Sequence, residues 1–240
     1  VDRPSAKRGA LLGGVIGLAA LTRPEALFFV PLLVLLLLAW KRREAVRPLV
    51  AMCLACAVVL APWVIRNLSA FDRVMMSNQS AETIAGANCP TTYNGIGIGF
   101  WDVTCIRPIG TPTEDEADRA AAQKATGLRY ARHHLGRVPL VVAARVGRTW
   151  GFFRPVATTT DKVVAWILLV LAVPGLVLLR RRGAPVAILL LPAAVVTIAS
   201  ALSFGWLRYR FGADIAFLVL AAVTVEAAGV AAFHAVRRAD

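Results

Sequence analysis

Long apolar stretches alternate with short basic ones along this chain, and one long polar stretch interrupts the alternation in the middle. Four apolar runs, Leu49 to Ile65, Val163 to Leu179, Ala184 to Phe204 and Phe211 to Phe233, approach the roughly 20 residues a helix needs to cross a hydrocarbon layer about 30 Å thick. A fifth region, Ala10 to Trp40, is longer than one crossing and is broken by Thr22-Arg23-Pro24-Glu25. Pro24 disfavours helical geometry at Arg23 and suits the first turn of a new helix, so the pattern predicts two short helices forming a hairpin.

The basic residues test the hairpin, because short cytoplasmic loops collect Lys and Arg. Arg3, Lys7 and Arg8 precede the first short helix, Lys41, Arg42, Arg43 and Arg47 follow the second, Arg180 to Arg182 follow the Val163 run, and Arg237 and Arg238 close the chain. A hairpin over 10–40 places all four clusters on one side. The expected fold is therefore an all-α polytopic membrane protein of about six membrane helices, with both termini cytoplasmic. Residues 1–65 supply the hairpin 10–40 and the span 49–65, residues 66–162 an external mixed cap, and residues 163–240 three more membrane helices. Val1 to Ser5 is polar, carries no cleavage pattern and does not begin with Met, which reads as the interior of a larger protein.

Within 66–162, the part from Asn78 to Cys105 is rich in Gly, Asn, Thr and Ser and reads as irregular or short-strand structure. The alternation Gly95-Ile96-Gly97-Ile98-Gly99 lacks the strand-to-helix setting of a dinucleotide fingerprint and reads as turn chemistry. Cys89 and Cys105 face an oxidising compartment in this topology. A disulfide between them closes a loop of about 17 residues and stabilises it by roughly 3 kcal/mol. Cys53 and Cys56 fall in an apolar span and read as small buried hydrophobes. Glu114 to Gly136, with Thr113 as N-cap, an acidic first turn and a basic last one, predicts an amphipathic helix. Its His133 and His134 are adjacent and point about 100° apart, so they read as solvated or headgroup-facing rather than metal-binding. Leu140 to Phe153 predicts an interfacial helix with Arg145 and Arg148 snorkelling to water.

Composition agrees with a bilayer. Of 240 residues, 58% are hydrophobic and 17% charged, too little polar surface for a soluble domain of this size. The net charge of +13 divides by position: twelve cations mark the cytoplasmic side and twelve lie in residues 66–162, where eight carboxylates partly balance them. Arg23, Arg208 and Arg210 remain, at external turns where topology gives no reason for a cation, and Arg66 joins them from the first position of the long loop. Nucleic acid is not implied. Charges near membrane depth are costly and are usually paired or functional. Four guanidinium forks converging on one face would suit a phosphate, whereas local pairing or snorkelling to phospholipid would need no convergence.

Three motifs carry a resemblance: Gly17-Leu18-Ala19-Ala20-Leu21-Thr22-Arg23-Pro24-Glu25; Ala61-Pro62-Trp63-Val64-Ile65-Arg66-Asn67; and Arg208-Tyr209-Arg210 at the start of the last span. In order and spacing they resemble the C-terminal half of a GT-C glycosyltransferase, in the bacterial branch of aminoarabinose transferases and protein mannosyltransferases. The segment with Tyr93, Asn94, Gly95, Phe100 and Trp101 is similar to a loop of actinobacterial members, and the excess of Arg over Lys fits a genome of high GC content. The resemblance implies transfer of a sugar from a polyprenyl-phosphate donor to an acceptor on the outer face of the cell membrane. It implies phosphate-holding roles for Arg23, Arg66, Arg208 and Arg210, with Glu25, Asn67 and Tyr209 shaping the site. The family's general base lies in an earlier loop, and Glu25, Asp72, Asp102 and Asp214 match no catalytic position. Glu25 is expected to pair with Arg23, and Glu226 to bond a neighbouring helix. No metal-ligand cluster is evident and no cofactor is implied, although a divalent metal stays open. A transporter or lipid flippase for an anionic substrate is the alternative in another class, and a membrane scaffold is a third.

Overall fold

A computed structural model of the chain describes residues 5–40, 44–72, 76–110, 115–154 and 157–239. Among them the secondary structure is entirely helical. The helices are α1 (Ala6–Thr22), α2 (Phe29–Trp40), α3 (Val46–Phe71), α4 (Gln79–Ala87), α5 (Pro90–Tyr93), α6 (Glu116–His133), α7 (Val138–Trp150), α8 (Thr159–Arg181), α9 (Ala187–Leu202) and α10 (Phe211–Ala239). Short 3-10 turns join several of them, at Pro24–Phe28 and Leu207–Arg210 among others. Three stretches, Val46–Phe71, Thr159–Arg181 and Leu207–Arg237, are long and apolar enough to cross a membrane, while Pro24–Ala39 and Ala187–Leu202 are shorter apolar helices. The chain divides into two compact units, Val1–Gly97 with Trp101–Val138, and Ile98–Phe100 with Pro139–Asp240.

In the first unit, α1 ends at Thr22 because Arg23 turns extended (φ −141°, ψ 107°) ahead of Pro24, and a 3-10 turn then leads into α2, as the sequence predicts. Gly9, Gly13 and Gly17 lie one turn apart along one face of α1. A Cβ at Gly9 or Gly13 would run into the α3 backbone at Pro48 or Met52. Small residues at i, i+4 and i+8 let two helix backbones touch, the usual means of helix packing where water supplies no driving force. Ile16, Leu49, Met52 and Cys56 complete that interface, and α2 covers it with Leu33, Val34 and Leu37. Cys56 is buried there as expected, but Cys53 is exposed.

The expectation of irregular or short-strand structure between Asn78 and Cys105 fails over α4 and α5, which are helical, and no strand forms among the described residues, while 94–105 are short 3-10 turns and bends as expected. Ala81 and Ala85 make one small face on α4, and Gly127 of α6 approaches so closely that a Cβ would meet the Ile84 carbonyl oxygen at 2.5 Å. Trp101 covers Gly86 and donates its indole N–H to the Glu82 carbonyl (3.2 Å). The helix breakers Pro90, Gly95, Gly97 and Gly99 act after the alanine-rich start of this stretch, which is free to pack as a helix. Cys89 and Cys105 are bridged, with Cα atoms 6.3 Å apart. The amphipathic helix begins later than predicted: Asp115 accepts from the Ala117 N–H (2.7 Å) and is the N-cap. Thr113 and Glu114, like Arg3 and the cluster 41–43, lie outside the described residues.

In the second unit, α8 and α10 close on each other at Gly175, where a Cβ would strike the Leu220 carbonyl oxygen. Beside it the Thr224 hydroxyl donates to the Leu171 carbonyl (2.6 Å). Ala172, Val196, Ala213, Phe217 and Leu220 form the core. Helix α9 has 16 residues, fewer than the run Ala184 to Phe204, because Pro185 delays its start and Ser203 leaves helical geometry (ψ −100°).

Helix α7 departs from expectation most. Arg145 and Arg148 do not snorkel; they are 4% and 3% exposed. Arg145 Nη1 donates to the Ala201 carbonyl at the end of α9 (3.1 Å), while Arg148 Nε and Nη1 donate to the carbonyls of Ile98 (2.6 Å) and Arg154 (2.8 Å). Arg148 also lies against the faces of Phe100 and Phe153, at 5.6 and 5.7 Å. Burial pushes its pKa down first, and the nearby Arg154 charge adds to that. Carbonyl oxygens and ring faces thus take the place of water around Arg148, and the Ala201 carbonyl does so at one nitrogen of Arg145. Thr149 bonds Ser200 (2.9 Å) and Trp150 bonds Thr197 (3.1 Å), so one face of α7 is tied along α9.

Candidate functional site

Arg208, Tyr209 and Arg210 stand in a single 3-10 turn that runs without a break into α10. Their environments differ sharply. Arg210 is 2% exposed, its Nε donates to Asp214 Oδ1 (2.8 Å) one turn on, and its Nη2 donates to the Ala165 carbonyl of α8 (2.9 Å). Trp150 and Phe217 present ring faces to it at 5.6 and 5.8 Å. Two donor nitrogens and most of its charge are therefore satisfied inside the protein. Arg208 is exposed, and its guanidinium lies 3.7 Å from the centre of the Trp206 ring, with Tyr209 at 5.5 Å. Stacking of this kind fixes the plane of a guanidinium without consuming its N–H groups, which point outward in the ring plane.

The turn itself is held from behind. Gly205 N–H donates to the Gly99 carbonyl (2.9 Å), and a Cβ at Gly205 would collide with the Arg145 carbonyl. Gly99 has φ +76° and approaches the Arg145 nitrogen so closely that a Cβ there would sit 2.7 Å away. Phe100 packs edge-on against Phe204 (6.1 Å) and Trp206 (5.6 Å), and Phe204 against Tyr209 (5.2 Å). These contacts order the Trp206–Tyr209 segment from which Arg208 projects.

Arg208 opens on a cavity of about 820 Å³ lined by Val164, Leu168, Leu207 and Phe211, with Thr158 and Asp161 from the start of α8. Asp161 and Thr158 are engaged with each other as a capping box, the Thr158 hydroxyl donating to Asp161 Oδ2 (2.7 Å). The cavity therefore has an apolar wall with one exposed cation, Arg208, and one exposed carboxylate, Asp161, while Arg210 and Asp214 neutralise each other beside it.

Arg23, Glu25, Arg66 and Asn67 belong to the first unit, Arg208, Tyr209 and Arg210 to the second. Arg23 and Glu25 are both exposed, and the expected ion pair between them is not formed among the described residues. Pro24 turns the chain between them, and Glu25 takes a place in the first turn of the following 3-10 helix. Helix α3 continues beyond Ile65 to Phe71, so Arg66 is a helical residue and not the first of a loop; Asp72 ends the helix in a left-handed conformation (φ 52°). Arg66 Nη1 donates to the Asn67 side chain (2.9 Å) and lies over Trp63 (5.7 Å) and Phe71 (5.4 Å), while Asn67 is buried. Glu226 is exposed on α10 and makes no inter-helix bond among the described residues.

A second hollow, about 510 Å³, lies beside the disulfide between Thr91, Asn94, Ile96 and Asp102. Hydrogen bonds from Thr91 (2.7 Å) and then Thr104 hold the Asp102 carboxyl below the usual carboxylate range. Among the described residues no three His, Cys, Asp or Glu side chains converge as a metal site would require.

Sequence inspection singled out Arg208 and Arg210 but not their partners. The i, i+4 spacing of Arg210 and Asp214 is a readable signal for the pair. Nothing local announces Ala165, Thr158 or Asp161, which lie some fifty residues upstream. The chain matches no protein-family model, no curated protein and no solved structure.

Proposed function

We propose that this chain is the donor-holding portion of a multi-pass membrane glycosyltransferase of the GT-C type. In this reading a sugar leaves a polyprenyl phosphate for an acceptor outside the cytoplasmic membrane. The observation that carries it is the Arg208 guanidinium stacked on Trp206 at the mouth of an apolar cavity beside α8 and α10. A prenyl chain suits the wall of Val164, Leu168 and Phe211, and a phosphate suits the open donors of Arg208. As the bond from the anomeric carbon to phosphate oxygen breaks, its electron pair passes to that oxygen, and a pre-placed cation stabilises the departing charge. Arg210 acts in this scheme chiefly by setting the turn, since two of its nitrogens are engaged. The membrane arrangement that accompanies it has about six segments, with the termini cytoplasmic and residues 66–162 outside. The general base is assigned to no residue of this chain.

Binding of a short polyprenyl phosphate to the purified protein in detergent, with the matching prenol as control, tests the reading. The phosphate is expected to bind more tightly than the prenol. Arg208→Ala should weaken the phosphate about tenfold or more, the worth of one charged hydrogen bond, and leave the prenol unchanged. Equal affinity for the two ligands, or an unchanged phosphate affinity in the variant, would overturn it.

A further inference from the structure

Between Asp118 and Asp161 the sequence contains no carboxylate at all, yet it carries Arg119, Lys124, Arg129, Arg132, Arg137, Arg145, Arg148 and Arg154. Arg145 and Arg148 are accounted for inside the second unit. The others include a cluster at one place in the first unit, the end of α6 and the 3-10 turn Leu135–Arg137 that follows it. There Arg129, Arg132, His133, His134 and Arg137 are all exposed. The opposite end of α6 is acidic, with Asp115, Glu116 and Asp118 in its cap and first turn. A helix dipole favours that polarity, but it acts only over the last turn and offers no reason for Arg137 or for a large apolar side chain among the cations. Leu135, at the tip of the turn, is 68% exposed, and Leu128, one turn before Arg132, is 37% exposed.

This corner is built as a rigid surface and not as a frayed helix end. His134 stacks on Tyr130 (4.1 Å between centroids) and its Nδ1 lies 2.8 Å from the Tyr130 carbonyl oxygen. Tyr130 meets Tyr93 edge-on (5.1 Å), Tyr93 is 1% exposed and bonds Asn88 (2.8 Å), and Arg137 Nε donates to the Tyr93 carbonyl (2.8 Å). The turn is thus pinned from beneath to the α4–α5 connection, and its outer side presents cations around a leucine.

We infer that the α6 end, through Arg129, Arg132, Leu135 and Arg137, docks on the headgroup layer of an anionic bilayer. Cations around an exposed leucine match the boundary between headgroups and acyl chains, where arginines meet lipid phosphates and the apolar side chain leaves water. A soluble polyanion would use the cations but not the leucine. The inference rests on the reading that the chain sits in a membrane, but not on sugar transfer. Its effect is to fix the height of the polar segment relative to the lipid.

The test uses the full chain in nanodiscs with Cys53→Ala and Cys56→Ala, so that Leu135→Cys is the one free thiol, labelled with an environment-sensitive fluorophore. Nitroxide-headgroup lipid serves as quencher. Quenching is expected in discs containing phosphatidylglycerol, to fall sharply in pure phosphatidylcholine, and to be lost near 1 M salt, where the screening length is about 3 Å. Arg129→Gln with Arg132→Gln should lower the docked-to-free ratio roughly thirtyfold, from a factor of about five per cation. A label at Ala122→Cys, exposed near the acidic half of α6, should show no lipid dependence, and unchanged thermal unfolding of the Gln variants verifies that they fold. Equal quenching in the two lipids, no quenching in either, or a response to a soluble polyanion without one to phosphatidylglycerol would each overturn the proposal. None of these outcomes depends on polyprenyl-phosphate binding.

Discussion

Two helix pairs in this protein reach the same closeness by the same means and then diverge. Both α1–α3 and α8–α10 bring backbones together at glycine, Gly9 and Gly13 in one and Gly175 in the other. The first interface is filled by Ile16, Leu49, Met52 and Cys56, with no charged side chain in its core. The second carries a threonine bonded across it and, at its end, an arginine buried against a carbonyl of the facing helix. Shape alone suffices to hold a helix pair. Polar groups in the second pair therefore mark where the structure tolerates a cation at depth, and it is beside that cation that the large cavity lies.

The largest expected effect comes from breaking the polar end of the second pair. Arg210→Ala leaves Asp214 and the Ala165 carbonyl without their donor and should destabilise by about 3–5 kcal/mol, read by denaturant or thermal unfolding in detergent. The double variant Arg210→Met with Asp214→Leu should recover most of that loss, because it removes both charges together. If the double variant is as unstable as the single one, the pair is structural in a way charge alone does not explain.

Next in size is Gly13→Leu, which forces α1 from the α3 backbone and should cost about 2–3 kcal/mol by overpacking. Gly175→Leu is the matched change in the other pair. It should cost at least as much, since it also displaces the Thr224 hydroxyl, which lies 3.0 Å from a Cβ placed there. A smaller cost at Gly175 than at Gly13 would break the parallel. The smallest effect is expected of Thr224→Val, which keeps the shape and removes one bond, at about 1 kcal/mol. No change in that variant would place all the strength of the second pair in its glycine and its ion pair.

Much of the helical layout was legible from runs of apolar residues and from Pro24, because both act locally. The Gly9, Gly13 and Gly17 spacing was equally readable, although only the structure shows its partner. Helix α4 was not legible because Gly, Asn and Thr favour turns one by one, whereas its formation goes with Ala85 and its neighbours meeting Gly127 some forty residues later. The arginines of α7 were misread for a related reason. An amphipathic pattern with cations predicts an exposed head, but Ile98 and Ala201 supply carbonyls that no window around Arg145 or Arg148 contains. Of the candidate site, the Arg208-Tyr209-Arg210 turn stood out in the sequence. The opposite roles of its two arginines did not, since they follow from Trp206 on one side and Asp214 with Ala165 on the other.

The Arg210–Asp214 pair also bears on how the last helix enters a membrane during synthesis. An isolated Arg or Asp costs about 2.5–3.5 kcal/mol at the centre of a crossing on insertion scales, an upper bound for residues at the start of the stretch Leu207–Arg237. Their i, i+4 spacing lets the two charges meet as soon as the first turn of α10 forms, without help from any other part of the fold. The two charges at the start of the helix thus offset each other, while Glu226 further along remains a separate charge. The Ala165 carbonyl of α8 adds a further partner for Arg210, so the packing of the two helices extends a neutralisation made within a single turn of chain.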